Sequence, residues 1–260
     1  LSFVRHTPIV LFLVGLPIFF VALADPYVSF VKEDVTYPGR RIAVLVDASS
    51  SMTYDFKTEK MGTKIQKNFY TATATAEYLM RLRMKGKHKD LMALIEFGNE
   101  SYVITPFTND YQNILTSVKL ISEPEEWARF PDSGTTIIKA IEQSVELFRT
   151  FGFLKASGNL MVLISDGEDT QNILAGRSLD DILEEARKNH IPIYFIRTLY
   201  QVPLGYSTDA LWKNAVEKTG GKFYAATDEA SIIEAVVEID KTVAGSINVS
   251  RYSTKKPLFD

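Results

Sequence analysis

Apolar residues along this chain fall into one long run, several short runs and helical spacings, and each pattern predicts a different element. Thr7–Ala24 (TPIVLFLVGLPIFFVALA) is 18 residues without a charge, bracketed by Arg5 and Asp25. As a helix it spans about 27 Å, close to the roughly 30 Å hydrocarbon core of a bilayer. Pro8 suits a first turn, and Pro17 predicts a kink. The run exceeds the apolar core usual for a secretory signal, which favours an uncleaved anchor; Ala22-Leu23-Ala24 before Asp25 also reads as a cleavage site. Leu1 in place of Met, and an apolar segment starting at Pro257-Leu258-Phe259, lead us to expect sequence beyond both termini. The flanking charges, Arg5 on one side and Lys32, Glu33, Asp34, Arg40 and Arg41 on the other, do not settle orientation.

Past the anchor the patterns alternate. Ile42–Val46 and Leu160–Ile164 are short continuous apolar runs, the mark of strands covered on both faces, and Leu91–Phe97 reads as a strand between them in sequence. Ile65, Phe69, Ala72, Ala76 and Leu79 share one face of a helix over 64–84, and Ile137, Ile141, Val145 and Phe148 do so in another. Tyr102–Ile104 reads as a short alternating strand. Ser178 with Asp181 forms a capping box for a helix through Lys188. Ile191–Ile196 is a further strand, with Pro192 at its start. A helix over 209–219 closes at Gly220-Gly221 and leads into strand Phe223–Ala225; a last helix runs from Asp228 to about Val243. The expected architecture is α/β: a doubly wound, mostly parallel sheet with helices on both faces, preceded by a transmembrane helix. The division is 1–6 as flank, 7–24 as membrane helix, 25–37 as linker, 38–245 as the domain, and 246–260 as a segment leading to a second span.

Composition narrows the chemistry. Lys+Arg 29 against Asp+Glu 32 gives a net charge of −3, which argues against nucleic-acid binding. With no cysteine and only His6, His88 and His190, thiol chemistry, Cys-ligated metals and most triads are excluded. Arg81, Arg83, Lys85, Lys87 and Lys89 cluster at a helix end and read as a solvated, dipole-favoured terminus. His88 reads as an exposed loop residue, His190 as a helix C-cap, and Trp212 as core. Glu168 and Asp169 read as solvated loop acids that could shape a rim. Carboxylates, hydroxyls and backbone remain.

Doubly wound sheets bind ligands at the carboxyl ends of their strands. Asp47-Ala48-Ser49-Ser50-Ser51 follows the first domain strand, Ser165-Asp166-Gly167 follows Leu160–Ile164, and Asp132-Ser133-Gly134-Thr135-Thr136 is a polar loop before a helix. Together they bring two carboxylates and three hydroxyls to one edge. Hard oxygen donors of this kind suit Mg²⁺ or Mn²⁺. Taken alone, Ser49–Ser51 reads as a turn and helix cap; the fuller set favours a metal site.

In this order the residues resemble the metal-ion-dependent adhesion site of the von Willebrand factor type A family. Asp47, Ser49 and Ser51 match its Asp-x-Ser-x-Ser, Thr135 its distant Thr, and Asp166 its distant Asp. Ser50 and Ser133 stand where that family usually has Gly, which predicts altered loop stiffness rather than lost binding. Ala22-Leu23-Ala24-Asp25-Pro26, Ile104–Thr108 and Gly220–Asp228 narrow the resemblance to the membrane-anchored, aerotolerance-type Bat group of bacteria. That resemblance implies an inner-membrane protein with its domain in the periplasm. It also implies work beside other von Willebrand A or Bat proteins and a MoxR-type AAA+ ATPase.

A divalent ion held by neutral hydroxyls and water-linked carboxylates keeps much of its charge and leaves a position for an outside oxygen. The expected ligand is therefore an exposed Asp or Glu of a protein partner, and the expected function is metal-dependent recognition without catalysis. The alternative is a Mg²⁺-dependent phosphoryl-transfer or hydrolytic enzyme using Asp47. No phosphate loop, nucleophile elbow or nearby histidine supports it.

Overall fold

Arg41–Asp47 (β1) is buried at every position, because its alternate residues serve opposite faces of the sheet. Ile42, Val44 and Val46 join one hydrophobic core, Ala43 and Leu45 the other. The computed structural model describes residues 2–24, 27–28, 31–58, 66–86, 88–130, 134–154, 156–169, 173–174, 176–202, 205, 208–242, 245–253 and 256–257. Beside β1 run Leu91–Phe97 (β2), Ser101–Thr108 (β3), Asn159–Ser165 (β4), Ile193–Thr198 (β5) and Lys222–Ala226 (β6). The order across the sheet is β6-β5-β4-β1-β2-β3. Every neighbouring pair is parallel except β2 with β3. This is the doubly wound, mostly parallel sheet that the apolar runs predict.

The helices are α1 (Ser2–Leu23), α2 (Asn68–Lys85), α3 (Tyr111–Ile121), α4 (Pro124–Ala128), α5 (Ile137–Thr150), α6 (Leu179–Lys188), α7 (Asp209–Glu217) and α8 (Glu229–Asp240). Phe69, Ala76, Val118 and Val236 bring α2, α3 and α8 to the first core. Ile141, Phe148, Leu183 and Trp212 bring α5, α6 and α7 to the second. Burial on both faces is what makes such strands uniformly apolar.

Two compact units are distinguished, Thr36–Asn248 and Leu1–Val35 with Val249–Asp260. The larger holds the sheet and α2–α8. In the smaller, α1 contains Pro8 and Pro17, and Tyr27–Val28 pairs with Lys256–Pro257. His6–Leu23 has a mean hydropathy of 2.2 and none of it is buried, so this helix is long and apolar enough to cross a membrane.

The structure also departs from the pattern-based reading. β3 is an eight-residue edge strand rather than Tyr102–Ile104 alone. Helices α3 and α4 fall where no element is read from sequence. Strand Val31–Pro38 lies in the stretch read as linker, and it pairs with Ser246–Ser253. Ile65, Lys87, Asp132, Ser133 and Val243 lie outside the described residues. The capping box of Ser178 and Asp181 forms as expected, and Asp228 with Ser231 makes a second.

The basic cluster needs correction. Arg83 is 4% exposed; it pairs with wholly buried Asp90 and, at 2.7 Å, with Asp240. Asp90 also accepts the Arg40 amide at 2.7 Å, so these residues tie α2, the β2 entry and α8 together. Arg81 and Lys85 do face solvent. His88 is half-buried rather than exposed. Asn189, not His190, caps α6, and His190 takes the left-handed conformation just beyond it.

Candidate functional site

Strand order reverses at β1, where the chain runs on to β2 on one side while β4 adds on the other. The carboxyl ends of β1 and β4 therefore meet at the switch point, the place where doubly wound sheets take ligands. Asp47, the last residue of β1, is wholly buried. Its Oδ1 accepts the Ser49 amide at 2.9 Å, a local turn that Asp forms readily. Its Oδ2 accepts the Ser165 hydroxyl at 2.5 Å. The chain then enters a single 3₁₀ turn, Ser50–Thr53, with the Ser49 and Ser51 hydroxyl oxygens 3.0 Å apart.

Asp166 follows β4 and is also wholly buried. Its Oδ1 accepts the Glu168 amide at 3.0 Å. Its Oδ2 is buried and has no hydrogen-bond partner among the described residues. Gly167 takes φ of +83°, a left-handed value that glycine adopts without strain. Burial raises the Asp47 carboxyl to about 7; the neighbouring Asp166 adds to this, and hydrogen bonds from Ser165 and Ser49 oppose it. Burial likewise raises Asp166, opposed by the Ser51 hydroxyl beside it. Neither carboxylate forms an ion pair with a Lys or Arg among the described residues.

Thr135 is 3% exposed on the loop that enters α5. That loop is fixed at the same edge, because the Thr136 amide donates to Gly98 O, just past β2, at 2.8 Å. The Ile137 amide at the start of α5 donates to Asp169 Oδ2 at 3.2 Å. Asp169, read from sequence as a solvated acid, thus holds the Thr135 loop to the segment after Asp166. Gly134 packs so tightly against Asn99 that a Cβ would collide with that side chain.

Both tryptophans also support the edge. Trp127 Nε1 donates to Ala48 O at 3.0 Å, and Trp212 Nε1 donates to Gly167 O at 2.9 Å. Trp212 buries its ring in the second core, half-buried Trp127 packs against the first, and each spends its one polar atom on a loop carbonyl. Trp212 is core, as expected, and a loop support as well. Sequence reading gave Trp127, Ser165 and Asn99 no role; the hydroxyl before Asp166 was the one local signal.

The arrangement offers carboxylate and hydroxyl oxygens and nothing softer. Among the described residues no three Asp, Glu or His side chains gather as a metal site, so any cation here depends on the hydroxyls. Two buried carboxylates repelling each other, one with an unsatisfied oxygen, are what a divalent ion would relieve. The residues present therefore fit a hard cation such as Mg²⁺ or Mn²⁺.

Comparisons with known proteins agree with this fold. It is similar to the crystal structure of BatB, a conserved hypothetical protein from Bacteroides thetaiotaomicron, with a TM-score of 0.57 and 16% identity over 78% of this chain and 98% of that one. It is similar to an aerotolerance-related membrane protein from Bacteroides fragilis, with a TM-score of 0.51 and 18% identity over 77% and 99%. The PilB minor pilin of Streptococcus sanguinis gives 0.57 and 14% over 80% of this chain and 61% of the pilin. No curated protein matches the chain in sequence. The von Willebrand factor type A domain profile matches residues 42–238, and by that match this chain belongs to the von Willebrand factor type A domain family.

Proposed function

We propose that this is a membrane-anchored recognition protein whose domain binds Mg²⁺ or Mn²⁺ through Asp47, Ser49, Ser51, Thr135 and Asp166 and presents it to a carboxylate of a protein partner. The carrying observation is Asp166 Oδ2, a buried carboxylate oxygen without a hydrogen-bond partner among the described residues, beside buried Asp47. Such a pair is costly without a cation and favourable with one. The ion would supply a positive centre at the sheet edge, with the hydroxyls adding no charge to neutralise it. An Asp or Glu from outside is the natural complement.

Membership of the von Willebrand A family fits a protein-interaction role, and domains of this type serve generally as adhesion and interaction modules. The apolar helix His6–Leu23 supports membrane attachment. Likeness to an aerotolerance-related membrane protein supports a membrane setting; on this reading the chain sits in a bacterial inner membrane with its domain facing the periplasm. In that setting the partners are other von Willebrand A or Bat proteins working with a MoxR-type AAA+ ATPase. The test is co-purification of partners from membranes with and without EDTA. Partners lost on chelation and with Asp47→Ala support the reading; partners retained in both overturn it.

A further inference from the structure

Glu96 sits near the end of β2 and is 6% exposed. Among the described residues its carboxyl takes part in no hydrogen bond or ion pair, and burial alone raises it, to about 7. It does not face packed core on every side. A cavity of about 500 Å³ opens on it, walled by Ile104 of β3, Leu120 and Ile121 of α3, and Phe130, with Glu126 and Arg129 also lining it. Ile104 and Leu120 are 37% and 58% exposed, so the apolar walls reach solvent. Arg129 is the one cation among the described lining residues, and its Nη1 lies 3.3 Å from Glu126 Oε1.

These features select the occupant. An apolar ligand would leave the carboxylate unpaired, and an anion would be repelled by it. A bare divalent ion requires several oxygen ligands, whereas the walls are hydrocarbon. An alkyl stem ending in a cation satisfies both the walls and the acid. Glu126 is paired with Arg129, so an ammonium, with three donors against the guanidinium's five, leaves fewer unmet beside Glu96. We propose that this pocket receives a lysine side chain of a protein partner, its methylenes against Ile104, Leu120 and Phe130 and its ammonium on Glu96. The cavity is larger than one side chain, so residues flanking that lysine enter with it. Arg129 and Phe130 directly follow α4, whose Trp127 holds the Ala48 carbonyl, so the pocket adjoins the candidate metal edge. It needs no metal, and it goes beyond the function proposed above.

The test uses the full chain in lipid nanodiscs with EDTA present, at about pH 8 so that Glu96 is ionised. Nα-acetyl-lysine methylamide and its neutral analogue Nα-acetyl-norleucine methylamide are titrated by saturation-transfer NMR. The lysine derivative is expected to bind about tenfold more tightly, the contribution of one charge-assisted hydrogen bond. That preference should vanish in Glu96→Gln. It should vanish also in Leu120→Lys, which alters an exposed side chain and supplies the pocket with an ammonium of its own. Equal binding of the two probes, or a preference that survives both substitutions, overturns the proposal. Cadaverine binding about tenfold more tightly than the lysine derivative would assign the pocket to a small diamine and overturn the protein partner.

Discussion

The Ser165 hydroxyl donates to Asp47 Oδ2 at 2.5 Å while its oxygen accepts the Gly167 amide at 3.0 Å. One small side chain thus orients the acid that ends β1 and sets the turn that follows β4. Ser165→Ala should weaken Mn²⁺ or Mg²⁺ binding by about 10- to 100-fold, as expected when a ligand loses its supporting hydrogen bond. The fold should lose only about 1–3 kcal/mol. Calorimetric titration and thermal melts of the same preparation separate the two effects; unchanged affinity would deny Ser165 a supporting role.

Metal binding should release a proton. The Asp47 carboxyl is raised to about 7, so below that value a cation must displace a proton from the pair. Apparent affinity should be level above about pH 7 and fall by up to about tenfold per unit beneath it. In the metal-free protein the same shift acts on stability. Its favourable contribution is complete below the ordinary Asp value of 3.8 and is lost as pH rises through about 7. Titrations in buffers of different ionisation enthalpy count the proton directly, and a proton count of zero at about pH 6 would contradict this reading.

Glu96 titrates apart from that site. Burial raises its carboxyl from 4.5 to about 7, so folding favours the protonated form. Stability is fully present below about pH 4.5 and declines as pH rises to about 7, by roughly 3 kcal/mol at most. Glu96→Gln removes this slope and should be more stable than the parent at about pH 8. Denaturant melts at saturating Mg²⁺, which holds the Asp47 pair ionised, isolate the difference. Parallel pH profiles for the two proteins would show that Glu96 is not buried in its charged form.

Asp90 is wholly buried and accepts from both Arg83 Nε and the Arg40 amide. Asp90→Ala leaves the Arg83 guanidinium, 4% exposed, with Asp240 as its remaining acid partner among the described residues. The expected cost is about 3–5 kcal/mol, the usual penalty for removing one member of a buried ion pair. Equilibrium unfolding measures it, and a loss under about 1 kcal/mol would show that water reaches the cluster.

Much of this structure is visible in the order of residues. β1 and β4 announce themselves as unbroken apolar runs because helices cover both faces; β1 ends on Asp47, and Asp166 directly follows β4. Other parts depend on distant contacts. Arg83 looks like a member of a solvated basic stretch until Asp90 and Asp240 close over it, the second 157 residues away. Val31–Pro38 mixes charges without a clear period and becomes a strand only by pairing with Ser246–Ser253. Helix α3 carried local signals that the sequence reading passed over: Ile114, Leu115, Val118 and Ile121 keep helical spacing, and Asp110 accepts the Asn113 amide as its cap at 3.1 Å. Glu96, a charge inside the strand read over Leu91–Phe97, was given no role from sequence. The Trp127 bond to Ala48 joins residues 79 apart, and nothing in the local pattern points to it.

The most direct measurement is a calorimetric titration of Mn²⁺ into the EDTA-stripped full chain, repeated for Asp166→Asn. The parent should take up one ion per chain, saturably and at sub-millimolar to millimolar concentration. Its thermal transition should rise with occupancy, by about 2.7 kcal/mol of stability at a hundredfold excess over the dissociation constant. Asp166→Asn should fold, show no heat of binding and melt at the same temperature with or without Mn²⁺. A parent chain that binds no ion, or an Asp166→Asn chain that binds it as tightly, would contradict the metal site and the recognition role built on it.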